Sequence, residues 1–114
     1  MPEEERRVKI YEALENLEVP VCHPPYRGNE ETYITYQLLG QGDRVYAEGR
    51  EVETSVMYAV SIFAEGFAAE LLRQVKEKLE DAGYIVAVEM ETYDKDTGRT
   101  QIALIAETEG DEYG

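Results

Sequence analysis

One stretch of the chain, residues 55–84, constrains the fold more than any other part of the sequence: SVMYAVSIFAEGFAAELLRQVKEKLEDAGY. In its first part, apolar residues occur at every second position, as they do in a β-strand with one buried face. In the rest, apolar residues recur at helical spacing. We therefore predict a strand over 51–64 and a helix over 66–82, joined tightly at Glu65-Gly66. Because this connection is so short, we expect the helix to pack back onto a face of its own strand.

The two faces of the predicted strand differ in polarity. One face is rich in apolar residues and is expected to lie in the core; it carries Val52, Val56, Tyr58, Val60 and Ile62. The other face is only half polar, with the order Glu53, Ser55, Met57, Ala59, Ser61 and Phe63. We expect Met57, Ala59 and Phe63 to be exposed unless another part of the chain covers them.

The remaining elements follow from the same kinds of pattern. An N-terminal helix is predicted over 3–18, and it should end near Glu18 because Pro20 disfavours helical geometry at the residue before it. Further predictions are a loop at 19–31, strands at 32–39, 84–93 and 99–108, a short strand at 44–48, and a hairpin turn at 94–98. The resulting order, α-β-β-β-α-β-β, predicts an α+β fold with two helices packed on one face of a mainly antiparallel sheet.

Each predicted helix has one apolar face that should meet the sheet. In the first helix this face consists of Val8, Ile10, Tyr11, Leu14 and Leu17. In the second helix it consists of Ala68, Leu72, Val75, Leu79 and Ala82, with Phe67 and Leu71 beside them. Gly83 is a suitable residue to end the second helix, since it accepts a positive φ.

The composition indicates one soluble acidic domain over 1–114, with a tail at 109–114 that we expect to fray. The chain has 25 acidic and 11 basic residues, a net charge of −14. Such a charge repels phosphates, so we expect neither sequence-specific nucleic-acid binding nor attraction to anionic membranes. The charge alone fits three roles: solubility, a surface that DNA passes without binding, or mimicry of DNA to inhibit a DNA-binding protein.

Two further features bear on the cellular location. Cys22 is the single cysteine, so no internal disulfide can form and a reducing compartment is expected. No apolar run approaches the roughly 20 residues that a membrane-spanning helix needs. We therefore predict a cytosolic protein with no membrane contact.

Residues capable of chemistry are present, but their spacing matches no catalytic or metal-binding pattern. Cys22 and His23 are adjacent, yet a zinc site needs about four ligands and a nucleophilic pair needs an orienting group and an oxyanion hole. The segment from Asp94 to Gly98 lacks the terminal glutamate and the flanking helices of a calcium loop, so a hairpin turn is the better interpretation. We predict no enzymatic activity, no metal and no cofactor.

The half-polar sheet face is the main candidate for a binding surface, because contiguous exposed apolar patches mark interaction sites. Ala87, and either Ala103 and Ile105 or Leu104 and Ala106, extend this face, depending on which face packs inward. The alternative is that the loop at 19–31 covers it. Because tyrosine suits interfaces, the candidate subunit-interface residues also include two tyrosines. The full set is Tyr33, Tyr36, Met57, Ala59, Phe63, Ala87 and Ile105.

Several strings, taken in order, resemble a known family. The segment IYEALENLEVPVCHPPYRGNEETYITYQL at 10–38 is similar to the start of small tail-completion proteins from long-tailed phages of Gram-positive bacteria. In that family an N-terminal helix leads to a Pro-Val step, a loop and a Tyr-rich strand. The string YAVSIFAEG at 58–66 resembles a later strand of the family, and LEDAGY with its following hairpin also matches. The chain departs from the family at Ala59 and Ser61, where polar residues are more common.

The resemblance implies a tail terminator or head–tail joining protein of a phage or prophage. Such proteins have an α+β fold and assemble as rings, often hexameric, that cap the tail tube or join it to the head connector. The implied partners are copies of this chain and other tail and head-connector proteins, and the implied location is the virion, with the host cytoplasm during assembly. The alternative is an acidic interaction protein, or a DNA-mimicking inhibitor.

Overall fold

The computed structural model describes the backbone of residues 3–43, 46–47, 50–51 and 54–108, and the side chains of residues 9–39 and 56–108. The predicted frayed tail at 109–114 lies outside the described residues, as do the predicted core position Val52 and the predicted outward position Glu53.

Both predicted helices are present, with adjusted ends. Helix α1 spans Glu3–Leu14 and continues as a tighter 3-10 turn over Glu15–Leu17. Glu18 then has a positive φ of 65°, which ends the helix where Pro20 predicted it. Helix α2 spans Ala69–Asp81, so it begins three residues after the predicted start.

Seven strands are described, two of which the sequence did not predict. They are β1 (Val21–Cys22), β2 (Tyr33–Asp43), β3 (Tyr46–Ala47), β4 (Arg50–Glu51), β5 (Thr54–Glu65), β6 (Tyr84–Asp94) and β7 (Arg99–Thr108). Five of them form one sheet in the order β1-β2-β5-β7-β6, and β3 pairs with β4 separately. All neighbours in the large sheet are antiparallel except β1 and β2, which are parallel. The α+β class is confirmed, and the element order gains β1, inside the predicted loop, and β4.

The core lies between the helices and one face of the sheet. Register alignment places Ile34 opposite Ile62, and Ile62 opposite Ile102, so one apolar row crosses three strands. Ile10 and Leu14 of α1 and Val75 and Leu79 of α2 belong to the same buried cluster. The predicted inward face of β5 is confirmed for the described residues Val56, Tyr58, Val60 and Ile62, which are 0–2% exposed.

Among the described side chains of α1, which do not include the predicted Val8, the buried stripe is narrower than predicted. Ile10 and Leu14 are fully buried, and Leu17 packs beside them. Tyr11 was predicted on the same face, but it is 39% exposed. Because residues four apart lie one above the other on a helix, Ile10 and Leu14 define the stripe, and Tyr11 is rotated to its edge.

Two irregularities change which face a residue occupies. The register between β2 and β5 shifts at Leu38/Gly40, and that between β6 and β7 shifts at Val88/Met90. Each shift leaves one extra residue, Leu39 or Glu89, which reverses the alternation of faces beyond it.

The turn between β6 and β7 is tied to the corner between β5 and α2. Gly98 has a φ of 72°, and its N–H donates to the Asp94 carbonyl at 2.7 Å, which confirms the predicted hairpin turn. The Gly66 N–H donates to the Gly98 carbonyl at 2.7 Å. The Thr100 hydroxyl donates to the Gly66 carbonyl at 2.6 Å. These two bonds fix the point where the chain leaves β5 and turns toward α2.

Candidate interaction surface

The face of the large sheet opposite the two helices is here called the outer face. It carries six of the seven predicted interface residues, since their register positions alternate with the buried ones: Tyr33, Met57, Ala59, Phe63, Ala87 and Ile105. The choice left open by the sequence is settled in β7, where Leu104 and Ala106 are buried and Ala103 and Ile105 belong to the outer face.

The strand register brings these residues together into one surface. Ala59 lies opposite Ile105, and Ile105 lies opposite Ala87, so an apolar row crosses β5, β7 and β6. Tyr33 lies opposite Phe63 near one end of the same face. Residues from four adjacent strands therefore contribute apolar side chains to this face.

Exposure distinguishes this patch from the core. Met57, Ala59, Phe63 and Ile105 are half-buried and Ala87 is exposed. Neighbouring side chains of the sheet cover each of them in part, and no described helix lies over them. Side chains of this kind are available to pack against another surface, and doing so would remove apolar area from water.

One end of the outer face is covered by the loop that precedes β2. The ring of Tyr26 stacks on Tyr33 with 4.1 Å between centroids, and Tyr33 stacks on Phe63 with 4.8 Å. The Glu30 N–H donates to the Tyr26 hydroxyl at 3.0 Å, which holds the first ring in place. The alternative that this loop covers the face therefore applies to the Tyr33 and Phe63 end.

Gly28 makes room for this aromatic stack. A Cβ atom added at Gly28 would approach the hydroxyl oxygen of Tyr26 to 2.2 Å and a ring carbon to 2.5 Å. Atoms at such distances overlap, so any larger residue at Gly28 requires Tyr26 to move away from Tyr33.

Tyr36 does not belong to the outer face. It lies opposite Val60 on the helix-bearing side, where its ring is 6.4 Å from both Tyr11 and His23. Tyr33 and Tyr36 are three residues apart, and an odd separation in a regular strand places side chains on opposite faces. The alternation could have separated these two tyrosines from the sequence alone.

Sequence reasoning missed the exposed apolar residues of β6. Ile85 and Met90 also face outward and are 58% and 43% exposed. Val88 and Tyr93 lie on the helix-bearing side and are 42% and 46% exposed. The sequence shows only that this strand has apolar residues on both faces, and it does not show how much of the strand a helix covers.

The adjacent Cys22 and His23 show no arrangement for nucleophilic chemistry. Cys22 is half-buried in β1, and burial raises the pKa of its thiol, which disfavours the reactive thiolate. The Nδ1 atom of His23 is 2.9 Å from the neighbouring Pro24 carbonyl, to which it donates when protonated. Its ring lies edge-on to Tyr36.

A cleft of about 390 Å³ lies between the 3-10 turn and α2, and its lining includes the ion pair of Arg73 with Glu77. The Arg73 guanidinium donates to the carboxylates of Glu70 and Glu77 on the same helix, at 2.8 Å in the case of Glu77. The hydrogen bond from Arg73 to Glu70, together with the positive charge of Arg73, holds the pKa of Glu70 below its ordinary value. Glu70, Arg73 and Glu77 are all solvent-exposed, so these ion pairs belong to the surface of α2.

The described residues contain neither a metal-binding cluster nor a membrane-spanning helix. Within the described residues, no group of three or more His, Cys, Asp or Glu side chains is placed to hold a metal ion. Among the helices that the structure describes, none is long and apolar enough to cross a membrane.

Comparisons with known proteins do not place the chain in a family. No protein-family model matches the sequence, and no curated protein matches it significantly. The outer face is therefore the feature from which a function has to be argued.

Proposed function

We propose that this protein is a structural subunit of a phage or prophage virion, a tail terminator or head–tail joining protein that forms a ring at the junction of tail and head. The observation that carries the proposal is the outer face, an apolar and aromatic surface spread over four adjacent strands. It is supported by the ordered sequence resemblance and by the α+β fold that the resemblance implies.

The outer face fits one side of a subunit contact. A ring requires a heterologous interface, in which one patch of each subunit meets a different patch of the next. Half-buried apolar side chains lose little conformational freedom when they are covered, because the sheet already holds them in place. Met57, Ala59 and Ile105 at the centre of the patch are the residues that we expect to be buried most completely.

The acidic charge fits the same role. A net charge of −14 repels DNA phosphates, so a channel lined by these subunits would let DNA pass without holding it. The partners in this proposal are copies of the chain and other tail and head-connector proteins, in the virion and, during assembly, in the host cytoplasm.

The charge also supports a second candidate, an acidic interaction protein or DNA-mimicking inhibitor. Exposed carboxylates lie on α2 at Glu70, Glu77, Glu80 and Asp81 and on β6 at Glu89 and Glu91. An inhibitor of this kind would bind a basic DNA-binding protein as a monomer. The two candidates therefore differ in oligomeric state.

The deciding experiment is light scattering on a size-exclusion column over a range of protein concentrations, with negative-stain images of any large species. A ring-sized species with a central hole is the expected result. A chain that stays monomeric throughout would contradict self-assembly and favour the acidic inhibitor.

A matched pair of variants locates the interface. Phe63→Asp places a charge on the outer face and should dissolve the ring, and Met57→Asp should do the same at a second position. Tyr11→Asp makes the same kind of change at an aromatic residue of α1 that is 39% exposed and lies on the helix-bearing side, so the ring should persist. Thermal unfolding by circular dichroism confirms that each variant is folded. A folded Phe63→Asp variant that still forms the ring would remove the outer face from the interface.

A further inference from the structure

Exposed apolar residues are concentrated at one edge of the molecule. Seven large hydrophobic side chains are exposed among those that the structure describes, and four of them belong to β6: Ile85, Val88, Met90 and Tyr93. A fifth, Phe67, stacks on Tyr93 with 5.3 Å between ring centroids. Exposed large hydrophobic residues clustered in this way mark interaction sites.

Strand β6 is also the last strand of the large sheet as the structure describes it. It is eleven residues long and ends the strand order, with β7 on one side and no described strand on the other. Its outward backbone N–H and C=O groups can therefore accept another strand, as in complexes formed by β-strand addition. The opposite edge differs, since the two-residue β1 occupies part of it.

The negative charge of the β6 edge favours an added strand that carries positive charge. Residues 84–94 contain Glu89, Glu91 and Asp94 and no Lys or Arg. Asp94, at the end of the strand, has a basic residue opposite it in the ladder, Arg99. Glu89 and Glu91 are exposed in the middle of the strand, with no basic residue opposite them: Glu91 lies opposite Ile102, and Glu89 is the extra residue at the register shift.

The same charge disfavours a second copy of this chain as the occupant. An antiparallel pair of β6 strands would bring the central carboxylates of two chains close together, and like charges across strands are destabilising. The bulge at Glu89 also interrupts the regular edge, a device by which edge strands avoid self-pairing.

We propose that the β6 edge binds an extended segment of a partner protein in which Lys or Arg alternates with apolar residues. The alternation follows from the two sides of β6. Ile85 and Met90 point to the outer face, where apolar residues of the added strand would pack beside them. Glu91 points to the helix-bearing side together with Val88 and Tyr93, which suits a basic residue.

A basic side chain satisfies both kinds of neighbour on that side. The methylene stem of Lys or Arg covers apolar surface while its charged head stays hydrated, so it can lie over Val88 and reach Glu91. The face of Tyr93, or of the Phe67 ring stacked on it, can also attract a cation. The proposal concerns an edge that each single chain presents, and it does not depend on ring assembly.

The first test is fluorescence anisotropy with a labelled ten-residue peptide of alternating lysine and valine. We expect saturable binding that weakens as salt is added, because the attraction is partly between exposed charges. A peptide of alternating glutamate and valine should bind at least about tenfold more weakly. A lysine–valine peptide with alternate backbone amides methylated keeps the charges but loses main-chain donors, and it should also bind weakly. Equal binding of either control peptide, or no binding of the first peptide, would overturn the proposal.

Matched protein variants separate the β6 edge from the general acidity of the chain. The double variant Glu89→Lys/Glu91→Lys should weaken peptide binding by about tenfold or more. The control, Glu80→Lys/Asp81→Lys, changes the net charge by the same amount on exposed positions of α2 and should bind within about twofold of the parent. If both variants lose affinity equally, only non-specific electrostatic attraction remains and the proposal fails.

Backbone amide NMR identifies where the peptide lies. The expected shift changes fall on Ile85 to Tyr93, and changes confined to β2 would contradict the proposal. Light scattering without peptide tests the competing occupant. A concentration-dependent dimer whose formation shifts the amide signals of Ile85 to Tyr93 would show that a second copy of this chain occupies the edge instead.

Discussion

The two faces of the large sheet are built from the same strands but have different consequences. On the helix-bearing face, Val60, Ile62 and Leu104 are 0–1% exposed, because α1 and α2 cover them. On the outer face, Ala59, Phe63 and Ile105 remain half-buried with no described helix above them. The first face accounts for the stability of the domain, whereas the apolar side chains of the second are better explained by contact with another molecule.

The largest difference between the faces should appear at two neighbouring residues of β7. Leu104→Ala removes a buried side chain and should lower the free energy of unfolding by about 2–5 kcal/mol. Ile105→Ala, one residue later on the outer face, should lower the free energy of unfolding of the monomer by about 1 kcal/mol or less. The reason is that a half-buried side chain leaves almost no enclosed cavity when it is shortened. Urea unfolding of both variants measures the two values. Equal losses would mean that the outer face is part of the core.

The corner between β5 and α2 should be the next most sensitive point on the helix-bearing face. Thr100 is 3% exposed, and its hydroxyl donates to the Gly66 carbonyl. Thr100→Val keeps the shape but removes the donor, so unfolding should become easier by about 1–3 kcal/mol. Thr92→Val, at an exposed position of β6, is the control and should change little. A neutral Thr100→Val variant would show that the corner does not need this bond.

The aromatic stack on the outer face should give a smaller effect. Gly28→Ala displaces Tyr26 from Tyr33 and should cost about 0.5–1.5 kcal/mol, the usual contribution of an aromatic pair. A double-mutant cycle with Tyr26→Ala tests the cause, because Gly28→Ala should be nearly neutral once the ring is gone. Urea unfolding measures the energies, and near-ultraviolet circular dichroism reports the tyrosine environment. A full cost in the Tyr26→Ala background would assign the effect to the backbone of the loop.

The smallest effect on stability should come from the ion pairs on α2. They test whether packing contributes more than electrostatics to the stability of the helix-bearing side. The pKa of Glu70 is lower in the folded protein, so the pair with Arg73 stabilises the fold above the ordinary glutamate pKa. This contribution should disappear as the pH falls through the lowered folded-state value. The difference in Tm between the parent and Arg73→Ala should therefore be small at neutral pH, shrink with salt and vanish in acid. Lys76→Ala is the control, and a large salt-independent difference for Arg73→Ala would contradict a purely electrostatic role.

The spacing of apolar residues and the length of each regular pattern were enough to predict most of the fold. The alternation of β5 identified its buried face, and the helical spacing after Gly66 identified α2, because both patterns are long and regular. The two-residue β1 was missed, since its pairing with β2 depends on how the loop folds rather than on a local pattern. The bulges at Leu39 and Glu89 were missed for a related reason, because a single extra residue leaves no compositional mark.

The candidate surface was predicted less completely than the fold. Alternation placed Met57, Ala59 and Phe63 correctly on one face, and the register puts the predicted Ala87 and Ile105 on that same face. Tyr36 was included for its residue type, although its position in the strand places it on the other face. The exposure of Val88 and Tyr93 could not be predicted, because it depends on how much of β6 the helix α2 covers.

The hydrogen bonds of Gly66 link the β6–β7 hairpin turn to the corner between β5 and α2. The turn cannot open without releasing the Gly66 N–H, and the strand end at Thr100 cannot shift without releasing the Gly66 carbonyl. Segments linked in this way tend to open together in native-state hydrogen exchange. A strand bound along β6 should therefore also slow amide exchange at Gly66, in the corner between β5 and α2.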